Sequence, residues 1–117
     1  LRRSFEALKR AASSSQSIPA ILQAKRAFYD ALFEGASCRT IQSLVGSLQA
    51  RITVLRSASL SRPGRIQATI SELEALIQAV EAKDPVAAEK ACREHVMEAG
   101  RVAIATLESP EDRVEAL

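Results

Sequence analysis

Residues 72–95 read ELEALIQAVEAKDPVAAEKACREH, a stretch that predicts two helices separated by a break around Asp84 and Pro85. Asp84 is a typical N-cap residue, and Pro85 suits the first position of a helix, where its missing N–H costs no hydrogen bond. Leu73 lies 11 residues before Asp84, and His95 lies 11 residues after it. In an antiparallel helical hairpin these two positions therefore stand at about the same height.

The composition of the 117 residues favours an all-α protein, because Ala, Leu, Ile, Arg and Glu are abundant and Gly and Pro are scarce. We expect an antiparallel bundle of five to six helices that forms a single domain over residues 1–117. The net charge of +2 comes from basic residues spread along the chain, which argues against a nucleic-acid-binding surface. Cys38 and Cys92 fit reduced thiols in a cytoplasmic protein, and no apolar run reaches the ~20 residues that span a bilayer.

Helical periodicity and breaks predict five helices and a short sixth piece that starts at Ser109. The approximate bounds of the five are 1–13, 18–35, 40–57, 65–83 and 85–107. Ser17 is the predicted N-cap of the second helix, which should end at about Gly35. Because Leu1 already lies inside a helical pattern, we also expect the chain to be part of a longer domain.

Three predicted helices each place one basic residue on the face that carries their apolar residues. These residues are Lys25, Arg51 and His95. Burying an unpaired cation costs several kcal/mol, so the side chains should either extend to the surface or meet an anion inside. Taken singly, Lys25 and Arg51 fit residues at the edge of the apolar face, and His95 fits a hydrogen-bonded core histidine.

The other apolar faces differ from one another in character. The face of the third helix consists, beside Arg51, of Leu44, Leu48 and Leu55. The face of the fourth helix carries no charge and consists of Ile66, Ile70, Leu73, Ile77 and Val80. The face of the fifth helix, which includes His95, has small side chains at Ala88, Cys92, Ala99, Val102 and Thr106. Small side chains around His95 would leave room for a ligand.

Three segments in unbroken order carry a resemblance to a known family. They read AFYDALFEGASC (27–38), LVGSLQARITVLRSASLSRPGR (44–65) and SELEALIQAVEAKDPVAAEKACREHV (71–96). The region from about Arg26 to Ala105 resembles FCD, the effector-binding domain of GntR-type regulators of the FadR subfamily. Five residues match those that the family usually has at the same places: Glu72, Ala79, Asp84, Ala88 and His95.

Many members of that family bind a divalent metal through one Asp and three His residues, and the metal holds a carboxylate ligand. Here the Asp position is Lys25, the first two His positions are Tyr29 and Leu73, and only the third, His95, is a histidine. Leucine offers no lone pair and lysine repels a cation, so we expect no metal and no other cofactor at this site. The Asn that the family often places near its pocket is Cys38.

The resemblance implies a ligand-sensing domain, a homodimer and a DNA-binding winged helix that is absent from this chain. We expect an organic acid in a metal-free pocket. The candidate ligand-binding residues are Lys25, Tyr29, Arg51, Leu73 and His95. The alternative is a structural or dimerising bundle whose pocket is filled by Leu73 and Tyr29. An enzyme is not expected, because the chain has a single histidine, no phosphate-binding Gly-rich loop and no nucleophile elbow.

Overall fold

The computed structural model describes residues 1–14 and 17–108, and all of its regular structure is helical. Within these residues there are six helices and no strand, which confirms the predicted all-α class. The helices are α1 (Arg2–Ser14), α2 (Ile18–Ala36), α3 (Arg39–Ser47), α4 (Gln49–Leu60), α5 (Arg65–Glu81) and α6 (Pro85–Leu107). The predicted piece that starts at Ser109 lies outside the described residues.

The chain divides into two compact units, and the division falls inside α4. Unit 1 is Leu1–Val54, and unit 2 begins at Leu55. A single domain over residues 1–117 stays a prediction. Among the described residues, no helix combines the length and the apolar character that crossing a membrane requires.

Unit 1 is built on the packing of α1 against α2. Its buried side chains follow helical spacing in both helices and include Phe5, Leu8, Ala12, Ile21 and Phe28. The rings of Phe5 and Phe28 meet edge to face with centroids 6.2 Å apart, an arrangement that aromatic pairs favour. As predicted, Ser17 is the N-cap of α2, and Pro19 lies in the first turn.

The third predicted helix is in fact two helices, because Leu48 interrupts it. Its backbone dihedrals of −98° and 1° leave the helical region, and its N–H bonds to the Val45 carbonyl in a tighter turn. The Ser47 hydroxyl donates to the Leu44 carbonyl at 2.7 Å, a local bond that competes with helix continuation. Gly46 and Ser47 are also weak helix formers, so the break has a local cause.

The apolar side chains of α3 and of the first part of α4 do not face inward as predicted. Leu44, Leu48 and Leu55 are exposed, and so is Arg51 on the same face. Periodicity alone therefore did not predict whether these side chains are buried.

Unit 2 is organised by the α5–α6 hairpin, whose break occurs where the sequence predicts it. Asp84 is the N-cap of α6, and its Oδ1 accepts a hydrogen bond from the Ala87 N–H at 3.1 Å. Lys83 adopts a left-handed conformation with φ of 56°, and its N–H and that of Asp84 bond to the carbonyls of Val80 and Ala79. These two bonds form a Schellman motif, which ends α5 just before α6 starts.

The buried face of α5 is rotated from the predicted one and is not free of charge. Its apolar members are Leu73, Leu76, Ile77 and Ala79, whereas Val80 is exposed. Thr69 and Arg65 are also buried on this helix, which corrects the prediction of an uncharged face. Arg65 can be accommodated because it is paired with Glu72. The buried residues of α6 are His95, Ala103 and Thr106. His95 and Thr106 belong to the face that the sequence predicts.

Candidate functional site

The five sequence-predicted ligand residues occupy three different environments. Lys25 on α2 is only 2% exposed, and Tyr29, one turn later, is half-buried. Arg51 is exposed, which agrees with the alternative that its side chain extends to the surface. Leu73 and His95 are buried in unit 2, at 0% and 2% exposure. The first three residues therefore belong to unit 1 and the last two to unit 2.

Lys25 lies on the inner face of α2, between the buried side chains of Ile21 and Phe28. At 2% exposure its ammonium group does not extend into solvent, which removes the surface alternative for this residue. Four residues on, the Tyr29 ring packs edge to face against Phe28 and stacks on Phe33, with centroids 5.5 and 6.2 Å away. This face of α2 thus combines a buried cation with an aromatic cluster.

A buried polar network joins the two helices of unit 2. The Arg65 guanidinium binds the Glu72 carboxylate through two hydrogen bonds of 2.6 and 2.8 Å. His95 Nδ1 lies 2.9 Å from Glu72 Oε1, so the network crosses from α5 to α6. Because Glu72 is the residue before Leu73, this bond also confirms that Leu73 and His95 lie at about the same height in the hairpin. We call Arg65, Glu72 and His95 the polar triad.

Local sequence explains how the triad is positioned. Gly64 precedes α5 with φ of 78°, a left-handed conformation that glycine adopts without strain, and it starts the helix at Arg65. Arg65 and Glu72 are seven residues apart, which places them two turns apart on one helix face. Sequence reasoning missed their pairing, although this spacing and the height of Glu72 opposite His95 were visible in the hairpin.

The charges and hydrogen bonds of the triad determine the ionisation of Glu72 and the position of the proton on His95. Burial raises the pKa of Glu72, but hydrogen bonds and charge from Arg65 and His95 outweigh it, so the pKa lies below its ordinary value of 4.5. An ionised carboxylate only accepts hydrogen bonds, so His95 Nδ1 carries a proton and donates it. In the neutral ring, Nε2 is then an acceptor. The triad therefore holds the His95 ring in one orientation and one tautomer.

Unit 2 also buries polar atoms that its described residues leave without a hydrogen-bond partner. These atoms are Arg65 Nε, Thr69 Oγ1 and Ser59 Oγ. Thr69 follows Arg65 by one helical turn, so both lie on the same face of α5. Buried polar atoms in native proteins are usually satisfied by protein, water or a bound molecule. Arg65 Nε and Thr69 Oγ1 are therefore two buried polar atoms on one face of α5 that the described residues leave without a hydrogen-bond partner.

The donor set around His95 does not suit a divalent metal. His95 offers one ring nitrogen, Leu73 offers no lone pair, and both Glu72 oxygens accept hydrogen bonds from Arg65. Within residues 1–14 and 17–108 no group of three or more His, Cys, Asp or Glu residues is arranged to hold a metal ion. The metal-free site remains a prediction that depends on this chemistry.

Cys92 lies one turn before His95 on α6, and its thiol is partly buried. Burial raises the pKa of the Cys92 thiol. A thiol with a raised pKa is less ionised at neutral pH and is a weaker nucleophile, because the thiolate is the reactive species. The surroundings of Cys92 thus favour packing over nucleophilic catalysis.

Comparison with known families agrees with the resemblance seen in the segments quoted above. A family profile described as the FCD domain matches residues 1–98. The chain therefore belongs to the FCD domain family, whose members are the regulatory, effector-binding domains of GntR-type regulators and not enzymes. The match includes α1, which lies before the region that carried the resemblance, and it covers parts of both units. No curated protein and no solved structure matches the chain.

Proposed function

We propose that this chain is the effector-sensing domain of a GntR-type regulator of the FadR subfamily, and that it binds a small carboxylate without a metal. In this proposal the full regulator is a cytoplasmic homodimer that binds DNA through a winged-helix domain. Ligand binding in the FCD domain changes how the regulator binds DNA. The observation that carries the proposal is the buried cation Lys25, which stands where the family's usual pattern has a metal-binding Asp.

The charge of Lys25 supports an anionic ligand. In metal-binding members a divalent ion supplies the positive charge that attracts the organic acid, whereas here an ammonium group is held in the protein interior. A positive charge in the low-dielectric interior attracts an anion more strongly than the same charge in water. The Tyr29 hydroxyl is a candidate second donor toward a carboxylate.

In unit 2, the support comes from the polar triad. Glu72 and Arg65 fix the His95 ring, and fixed ring orientation is a common feature of histidines that bind ligands. His95, Leu73 and the exposed Arg51 stay candidates, each to be substituted separately.

The test is titration calorimetry of the chain with a panel of carboxylates: acetate, succinate, citrate and benzoate. If an acid binds, Lys25→Ala should weaken it at least tenfold, because one charge-assisted hydrogen bond is worth about 1.5–3 kcal/mol. Lys25→Met keeps the buried stem and removes only the charge, so it separates electrostatics from packing. Arg26→Ala, one residue further and exposed, is the matched control and should change affinity little. Unchanged affinity in both Lys25 variants would show that Lys25 does not bind the carboxylate.

Native mass spectrometry of the purified chain addresses the alternative, a structural bundle with a filled pocket. That alternative is favoured by one observation: Leu73, at a family histidine position, is fully buried as an ordinary core residue. An added mass of an organic acid would support sensing. A mass equal to that of the sequence, unchanged by the carboxylate panel, would favour the structural function.

A further inference from the structure

Two buried hydroxyl groups of unit 2 depart from a hydrogen-bonding pattern that is common in this chain. The pattern is a bond from the hydroxyl to the backbone carbonyl three or four residues earlier, and it is formed by Ser4, Ser13, Ser14, Ser47, Ser61 and Thr106. Ser59 in α4 and Thr69 in α5 are buried, but their oxygens have no hydrogen-bond partner among the described residues. The backbone of their own helices therefore does not satisfy these two hydroxyls.

Thr69 and Thr106 form a matched pair, because each is a threonine on the buried face of a long helix. Thr69 is 2% exposed and Thr106 is 7% exposed. Thr106 Oγ1 donates to the Val102 carbonyl at 2.8 Å, four residues earlier. Thr69 Oγ1 forms no such bond with the carbonyl of Arg65, which is its equivalent position in α5. The Thr69 hydroxyl is thus left for a group outside its own helix backbone.

The Arg65 side chain extends along α5 past Thr69. Its guanidinium binds the Glu72 carboxylate at 2.6 and 2.8 Å, two turns further on, and Thr69 lies between these residues on the same helix face. Nε precedes the guanidinium carbon in the side chain, so it lies at about the level of Thr69. Among the described residues no group accepts the Nε hydrogen, and Nε is buried. Two buried polar atoms that do not bond each other therefore lie at one level of α5.

We propose that Arg65 Nε and Thr69 Oγ1 bind one neutral oxygen atom between them. The Nε–H group only donates, so its partner is a hydrogen-bond acceptor and not a cation. The ionised Glu72 carboxylate already balances the charge of Arg65, so a second anion would be buried without a counter-ion, which is unfavourable. A hydroxyl or carbonyl oxygen of a small molecule has the required chemistry, and so has the oxygen of a water molecule.

The cost of burying unsatisfied polar groups supports this site. Most buried N–H and O–H groups in native proteins bond to protein, to ordered water or to a ligand, and one bridging oxygen satisfies both atoms here. The inference does not depend on the effector proposal, because neither Arg65 nor Thr69 is a candidate effector-binding residue. It would hold for a purely structural domain as well.

Thermal unfolding of Thr69→Val in the 117-residue chain is the test, because its sign depends on the bound atom. Valine has the shape of threonine but no hydroxyl, so it removes one partner of the oxygen and should lower the melting temperature by about 3–6 °C. If no atom is bound, the substitution replaces an unsatisfied hydroxyl by a methyl group and should raise the melting temperature. Thr106→Val is the matched control and should change it less, since that hydroxyl bonds only to its own helix. An unchanged or raised melting temperature in Thr69→Val would overturn the proposal.

A high-resolution crystal structure of the chain locates the oxygen directly. We expect electron density within about 2.7–3.2 Å of Arg65 Nε and within hydrogen-bonding distance of Thr69 Oγ1, and a position without density would contradict the site. Native mass spectrometry then identifies the source of the oxygen. A small molecule adds its mass to the chain and is lost in Thr69→Val but kept in Lys25→Ala. Water leaves the mass at the sequence value, and the difference in melting temperature persists after unfolding and refolding in buffer alone.

Discussion

The α5–α6 hairpin and the α3–α4 segment are both helical and both rich in apolar residues, but they use those residues differently. In the hairpin, Leu73 and Ile77 are buried, and an N-cap and a Schellman motif define the break. In α3 and the first part of α4, Leu44, Leu48 and Leu55 are exposed and the break is a single residue. The difference shows that an apolar face predicts burial only where the chain also supplies a partner helix at the right height.

Among the substitutions that distinguish the two regions, the removal of the Glu72 carboxylate should have the largest effect on the free energy of unfolding. Glu72→Ala should lower the free energy of unfolding by about 3–5 kcal/mol, because it leaves the Arg65 guanidinium buried without its counter-ion. Urea denaturation followed by circular dichroism measures this change. Glu89→Ala, which removes an exposed i,i+4 pair with Arg93, is the control and should cost at most about 0.5 kcal/mol. Equal effects would mean that the triad does not stabilise the hairpin.

A smaller effect is expected from acid. The pKa of Glu72 is lower in the folded chain than its ordinary value of 4.5, so its ionisation stabilises the fold above that value. This stability is lost as the pH falls from about 4.5 through the lowered pKa. The wild-type chain should therefore lose more stability over this range than Glu72→Gln, which has no carboxyl to titrate. Parallel pH profiles of the two proteins would contradict the assignment.

The turn between α5 and α6 offers a gain in stability. Lys83 has φ of 56°, which strains any residue with a Cβ, so Lys83→Gly should stabilise the chain by about 0.5–1 kcal/mol. Lys90→Gly places the same change in the interior of α6 and should instead destabilise by about 1 kcal/mol. Thermal unfolding of both variants checks the opposite signs. Two changes of the same sign would show that the turn conformation is not the cause.

The smallest effect is expected in α3. Leu44 is 60% exposed, so Leu44→Ser should change the free energy of unfolding by no more than about 0.5 kcal/mol. Leu73→Ala in the hairpin removes a fully buried side chain and should cost about 2–5 kcal/mol. A large loss in Leu44→Ser would mean that the α3 face is covered in solution and would erase the contrast between the two regions.

Much of the fold was predictable from the sequence, and less of the site. Periodicity located the helices, and Asp84, Pro85 and Ser17 marked helix starts that the structure confirms. The break at Leu48 was not predicted, because a single residue with intermediate dihedrals leaves no strong signal. Among the candidate site residues, helical spacing placed Lys25, Arg51 and His95 on or beside apolar faces, but only the structure shows that Lys25 and His95 are buried and that Arg51 is exposed.

The sequence by itself determined the helical class, the hairpin and its register, because caps, proline and apolar spacing act within a few residues of each other. The resemblance carried by its motifs also indicated the FCD family, which the family match then showed. Only the tertiary structure decided that Arg65 is buried and that Glu72 binds both Arg65 and His95. These outcomes depend on which side chains come into contact between helices. The free energy of burying a charged side chain depends on the partner that it contacts in the fold, which its position in the sequence does not reveal.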